Sequence, residues 1–169
     1  QNLDSFTPDN LFAGHEIPAL VKGVTLEAGQ GELKRGTVLG KITKAIGTLT
    51  EPDAAKGSIS SVVLGKGVKL GTYKLICTTA TGSGVKAVFK AIDPEGIRLD
   101  DAVAGTAYSG PISFTITEAS GFALGDTFAI PVITASGKYK AVNSANTDGS
   151  EVADCILADD VDTTAGDVT

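Results

Sequence analysis

The residues that could do chemistry in this chain are few, and their spacing works against each reading in turn. The one histidine, His15, stands in the N-terminal stretch with no local acid or nucleophile, so a Ser–His–Asp relay has no support in its surroundings. Two cysteines and one histidine are too few for a zinc centre of the Cys/His type. Cys77 and Cys155 fall in separate segments and read as buried free thiols, which suits synthesis in a reducing cytoplasm. Ser144-Ala145-Asn146-Thr147-Asp148-Gly149 imitates the middle of a calcium loop, but the bidentate acid needed at the loop's last position would be Cys155. A hairpin turn at Asp148-Gly149 is the stronger reading. Asp159, Asp160, Asp162 and Asp167 could gather a hard cation; a solvated acidic face is the simpler expectation. Gly29-Gln30-Gly31 opens like a dinucleotide fingerprint but lacks the third glycine and the helix behind it. Gly65-Lys66-Gly67 is too short to cradle a phosphate. Nothing here activates a nucleophile or sets two carboxylates apart in pKa. No catalytic residue, cofactor or metal is assigned, and the expectation is a protein that is not an enzyme.

Bulk properties narrow the partners further. The net charge is −6 and the sequence pI about 4.7, with arginine only at Arg35 and Arg98. Phosphate contact needs clustered Lys and Arg, so a nucleic-acid partner is excluded. No apolar run approaches the roughly 20 residues of a spanning helix, and the N-terminus has neither the charged nor the apolar region of a signal peptide, so no membrane partner is expected. The chain opens without a methionine and stops at Asp167-Val168-Thr169, which raises the expectation of a trimmed or processed sequence whose missing C-terminal segment could hold part of the core.

The elements that must position these residues are strands. Glycine is abundant at 21, aromatics make up 5%, tryptophan is absent, and Thr, Val and Ser recur throughout. No window carries a sustained helical stripe, so the fold class is all-β. The organising stretch is Gly31–Thr43. It reads as strand, with Val38 and Ile42 on one face, Leu39 and Lys41 on the other, and Gly36 and Gly40 marking bends or close backbone approach. Val21–Leu26 reads as a strand before it, joined through a turn at Glu27–Gly31.

The return strand for Gly31–Thr43 arrives only at Thr134–Asn143. Between them Lys44–Gly57 loses the pattern and reads as a linker, and a fresh series begins at Ser58. Tyr73, Leu75 and Cys77 share one face, as do Val85, Ala87, Phe89 and Ala91, then Ile112, Phe114 and Ile116, then Phe128, Ile130 and Val132. Asp93-Pro94-Glu95-Gly96 is a type I turn signal. Short alternating strands separated by turn signals describe a sandwich, here an Ig-like module. Beyond it, Val152–Ala158 is a strand with Ala153, Cys155 and Leu157 opposed to Val152, Asp154 and Ile156. Asp159–Thr169 is an acidic, polar tail. The resulting division is an extended N-terminal arm over residues 1–20, a discontinuous base domain over 21–44 and 134–169, and an inserted Ig-like β-sandwich over 45–133. The arm carries Leu3, Phe6, Leu11, Phe12 and Ile17 with no period linking them. These must be buried on their own domain or on a neighbour, where an extended segment can add a strand to a foreign sheet edge.

Phe6-Thr7-Pro8-Asp9-Asn10-Leu11-Phe12-Ala13-Gly14, then Val24-Thr25-Leu26 with Gly29-Gln30-Gly31, then Leu33-Lys34-Arg35-Gly36-Thr37-Val38-Leu39-Gly40 resembles the lambda-type head decoration proteins of tailed bacteriophages. The resemblance resumes at Ala135-Ser136-Gly137-Lys138-Tyr139, at Ala158-Asp159-Asp160-Val161-Asp162 and at Thr164-Ala165-Gly166-Asp167-Val168, covering roughly half the chain in the family's order. The chain departs from the family in the intervening residues after Thr43, and in stopping where members continue with another strand and a short helical segment. The resemblance implies a small β-tulip-like or barrel-like decoration domain and a capsid cement protein in the virion, on the outer capsid surface, made in the bacterial host cytoplasm. It implies a homotrimer bound to the major capsid protein at three-fold and quasi-three-fold positions of the expanded head, bracing it against packed DNA. It also implies an arm, disordered when free, that orders on the capsid and extends a capsid sheet through Phe6, Thr7, Pro8, Asn10, Leu11 and Phe12. The inserted module would project outward, with weak glycan binding or added contact between capsomers as its candidate work. The alternative from another class is a carbohydrate-binding or adhesion module acting through the Ig-like piece.

Overall fold

The computed structural model describes residues 20–169, in which every regular element is a strand. The strands are β1 (Glu32–Leu33), β2 (Val38–Lys41), β3 (Lys44–Ile46), β4 (Gly57–Leu64), β5 (Gly71–Thr79), β6 (Val88–Ile92), β7 (Arg98–Val103), β8 (Ala107–Tyr108), β9 (Ile112–Glu118), β10 (Thr127–Thr134), β11 (Tyr139–Ala141), β12 (Ala153–Ile156) and β13 (Val161–Asp162). They form open antiparallel sheets ordered β3-β10-β5-β6-β7, β4-β9-β8 and β11-β2-β12, with β1 and β13 as a two-stranded ribbon. The all-β expectation holds, and none of the described sheets closes into a barrel.

Alternation built the larger core. Tyr73, Leu75 and Cys77 of β5, Phe89 and Ala91 of β6, Phe114 and Ile116 of β9, and Phe128, Ile130 and Val132 of β10 all point inward and join one apolar cluster spanning the five-stranded and three-stranded sheets. Phe89, Phe122 and Phe128 meet in edge-on and tilted contacts with centroids 5.1–5.7 Å apart, the arrangement the ring quadrupole favours. The Asp93–Gly96 turn forms as read: Gly96 N–H donates to the Asp93 carbonyl at 3.0 Å. The Asp93 carboxylate also accepts the N–H groups of Glu95 and Ile97 and the Lys69 ammonium. The edge strand β4 carries Ser61 at φ 54 and a register shift between Ser60 and Val63. A bulge of this kind twists a free edge away from unwanted pairing.

Several expectations are corrected. Val21–Leu26 is not a strand; within it only Leu26 bridges, antiparallel to Val168 and parallel to Tyr139, because the residues before it meet no continuous backbone ladder. The stretch read as a linker begins with β3, whose residues Lys44–Ile46 pair with Thr134–Val132 of β10. Thr50 then bridges Ala129. Val85 is half exposed, since it sits in the Gly82–Val85 turn and β6 starts only at Val88. Asp148-Gly149 closes no hairpin, for β11 and β12 pair on opposite sides of β2 and not with each other. In β2 the faces are also resolved differently. Leu39 is buried and Val38 exposed, while Ile42, past the end of the strand, turns inward by donating its N–H to the Lys138 carbonyl. The acidic tail is no loose end, because β13 pairs with β1.

Candidate functional site

The residues read from sequence as capsid-binding, Phe6, Thr7, Pro8, Asn10, Leu11 and Phe12, lie outside the described residues. The described residues that follow build a small three-stranded sheet. Its centre is β2, flanked by β11 and β12. Tyr139 lies opposite Lys41 and Ala141 opposite Leu39 on one side; Ile156 lies opposite Val38 on the other. The strand reaching Thr43 and the strand leaving Thr134 are thus neighbours: Ala135 N–H donates to the Thr43 carbonyl at 3.0 Å and Gly137 N–H to that of Ile42 at 3.2 Å.

A small apolar core lies beneath this sheet, made of Leu26, Leu33, Leu39, Tyr139 and Leu157, with Val24, Ala141, Cys155 and Val161 packed on it. Two polar side chains are fully enclosed beside it and satisfied. Thr163 Oγ1 donates to the Gly31 carbonyl and accepts from Gln30 N–H. Ser150 Oγ bonds to the Asp148 carboxylate and to Asn146. Gln30, which the sequence placed in a failed phosphate loop, is a strut: its amide donates to the carbonyls of Glu27 and Tyr139 and accepts from Ala141 N–H at 2.8 Å.

The acidic residues are dispersed onto separate partners. Asp160 accepts from Arg35 N–H and Lys34, Asp167 accepts from Ala28 N–H and pairs with Lys138 at 2.5 Å, and Asp162 caps Thr164. Each carboxyl is held below its ordinary pKa, Asp160 chiefly by Arg35 N–H, Asp162 by the Thr164 hydroxyl and Asp167 by Lys138. Among the described residues no group of three or more Asp, Glu, His or Cys could hold a metal. Cys77 is buried as read, whereas Cys155 is only half-buried; both are free thiols whose pKa burial pushes up, so neither is an activated nucleophile.

Asp148 ties this sheet to the start of β3. Its carbonyl accepts from Thr43 and Lys44 N–H at 2.8 and 2.9 Å, and its carboxylate pairs with Lys140 at 2.7 Å. The adjacent Thr147 hydroxyl donates to the Leu64 carbonyl at the end of β4. Burial alone would raise the Asp148 pKa, but Lys140 and the Ser150 bonds outweigh it, leaving the carboxyl below the usual range. A depressed folded pKa contributes stability that is complete above the ordinary Asp value of about 3.9 and is lost as pH falls through the folded value. Thermal melts should therefore be flat near neutrality and fall below about pH 4, with Asp148→Asn showing a shallower acid slope. An identical slope in the variant would remove Asp148 from that account.

Two apolar features remain. Val38 and Ile156 stand opposite each other on β2 and β12 and are exposed. An apolar cleft of about 750 Å³ opens over the small core, bordered by Val24, Leu39, Cys155, Ile156, Leu157 and Val168. Sequence reading missed the cleft, since its walls come from the two ends of the chain and each contributes isolated valines.

Residues 4–169 match the family model of the bacteriophage lambda head decoration protein D. The chain belongs to that family. No curated protein and no solved structure matches it. As a head decoration protein it has a structural role on a bacteriophage capsid, in keeping with its all-β build.

Proposed function

We propose that this head decoration protein is a cement protein. It binds as a homotrimer to the major capsid protein at three-fold and quasi-three-fold positions on the outside of the expanded head, which it stabilises against internal DNA pressure. It is made in the host cytoplasm, performs no catalysis and needs no cofactor. The family match over residues 4–169, which takes in the arm as well as the base strands, is the observation that carries this reading. The trimer contact takes in the exposed Val38 and Ile156, which stand opposite each other on β2 and β12. Residues 1–20 act as the capsid-binding arm, and residues 45–133 form an Ig-like guest carried by the base of 21–44 and 134–169. The β3–β10 pairing supports that division, since it brings the entry and exit of the guest side by side within its five-stranded sheet.

Purified protein should bind expanded heads and not precursor shells, and should raise the temperature at which expanded heads release DNA. In solution its mass should be three times that of the chain. Glycan binding with no affinity for heads would instead make it an adhesion module working through the guest, and a monomer at working concentration would overturn the trimer.

A further inference from the structure

The larger and smaller cores are joined where the chain passes from Thr43 into β3 and returns from β10 at Thr134. The two crossings run side by side, with Ala135 N–H on the Thr43 carbonyl and Gly137 N–H on that of Ile42. β3 and β10 are neighbours in the five-stranded sheet, so both crossings enter one layer of the sandwich. Units joined in this way move against each other unless a further contact holds them. That contact lies in the other layer. Thr147, in the loop between β11 and β12, donates its hydroxyl to the Leu64 carbonyl at 2.8 Å, and Leu64 ends β4 of the three-stranded sheet. We propose that residues 143–150 form a latch that holds the sandwich at one fixed angle to the β11-β2-β12 sheet.

The loop is built as a rigid part. Its first turn is closed by Asn146 N–H on the Asn143 carbonyl and by Ala145 N–H on the Asn143 side chain, both at 3.0 Å. The Asn146 amide donates to Ser150 Oγ at 2.8 Å, which in turn bonds to the Asp148 carboxylate at 2.6 Å. Ser150 is fully enclosed, and its backbone lies against Gly40 at the centre of β2. At the crossing, the Asp148 carbonyl accepts the N–H groups of Thr43 and Lys44, so the neighbour of Thr147 grips the chain as it leaves for β3. Gly149, at φ 106, packs against the same place: a Cβ there would collide with Thr43 Oγ1 and lie 3.1 Å from the Lys41 carbonyl oxygen. One short loop therefore touches the small sheet, the crossing and the far layer of the sandwich. Two crossings in one layer define a hinge line. A contact in the other layer lies off that line and opposes rotation about it. The inference concerns the two cores alone and does not rest on the cement reading, which would survive its failure.

Residual dipolar couplings of the backbone amides, measured on the full chain in a weakly aligning medium, read the angle directly. Couplings from β5, β6 and β10 and those from β2, β11 and β12 should fit one alignment tensor. Two tensors of different magnitude overturn the proposal, and this result stands whether or not any variant folds. Thr147→Val keeps the shape of the side chain and removes its hydroxyl, leaving the Leu64 carbonyl without that donor. In this variant the common tensor should be lost, with the two sets of couplings diverging in magnitude. Thr147→Ser, which keeps the hydroxyl, should retain it. A common tensor that persists in Thr147→Val overturns the latch, because the angle is then held without it.

Discussion

Full-length protein carrying Leu11→Asp and Phe12→Asp is expected to lose detectable binding to expanded heads while keeping its β-rich circular dichroism. Burying a leucine and a phenylalanine contributes about 1.5–3 kcal/mol each. Losing both removes about 3–6 kcal/mol per arm, or roughly 10²–10⁴ in affinity for a single arm at 1.4 kcal/mol per decade. Ordering the arm costs about 1–2 kcal/mol of backbone entropy per residue, so little of the gross gain is spare and the arm has no reserve to absorb the loss. In the proposed homotrimer three arms would multiply the deficit, because avidity compounds the single-arm affinities. Aspartate adds the desolvation of a charge to the lost apolar burial. Sedimentation of the variant with heads reads the outcome directly. Binding within tenfold of the parent would falsify the arm's role and move the capsid contact to the base or the guest.

The parts of the fold that sequence disclosed are those where one face of a strand carries large apolar residues over several positions. Tyr73, Leu75 and Cys77, or Phe128, Ile130 and Val132, make an alternation that survives any shift in strand ends, and all six are buried. Where the strand is short, parity is lost. Lys44-Ala45-Ile46 is too brief to show a period, and its identity as β3 comes from the backbone of β10. Around Gly40 the missing side chain interrupts the alternation of β2, so Ile42 is buried while Val38 is exposed, and Lys41 is exposed while Leu39 is buried. Val21–Leu26 looked like a strand by composition, yet pairing needs a partner edge, and in that stretch only Leu26 finds one. The buried Ser150 and Thr163 left no trace in the sequence, since their burial depends on bonds to Asp148 and to Gly31, one of them 132 residues away. The cleft was hidden for the same reason: Val24 and Val168 meet only after the chain's ends have been brought together. Capsid binding was readable only through family resemblance, because no local chemistry announces a surface whose partner is another protein.

Gly40→Val is expected to unfold the base sheet and abolish head binding while the larger core stays intact. Gly40 sits at the centre of β2, facing Lys140 on one side and Ala153 on the other. A Cβ there would collide with the Ser150 carbonyl oxygen and lie 2.7 Å from its carbon and 2.8 Å from its Cα. All three are backbone atoms, so no rotamer relieves the clash. Ser150 cannot give way cheaply, because it is fully buried and tied to Asp148, whose carbonyl in turn accepts from Thr43 and Lys44. Overpacking costs about 1–3 kcal/mol. Each hydrogen bond broken in moving the loop adds about 1 kcal/mol. The sum is a large part of the 5–15 kcal/mol that stabilises a typical domain, and among the described residues this core has five buried apolar residues to resist it. Gly23→Val is the control, since a Cβ there meets nothing within 4 Å; it should shift stability by no more than about 0.5 kcal/mol. Hydrogen exchange distinguishes the outcomes. In Gly40→Val the amides of β2, β11 and β12 should lose protection while those of β5, β6 and β10 retain it, because Phe89, Phe122 and Phe128 close a core that does not draw on Leu39. If protection is lost in both sets together, the two cores unfold as one cooperative unit, and the guest is not an independent passenger on the base.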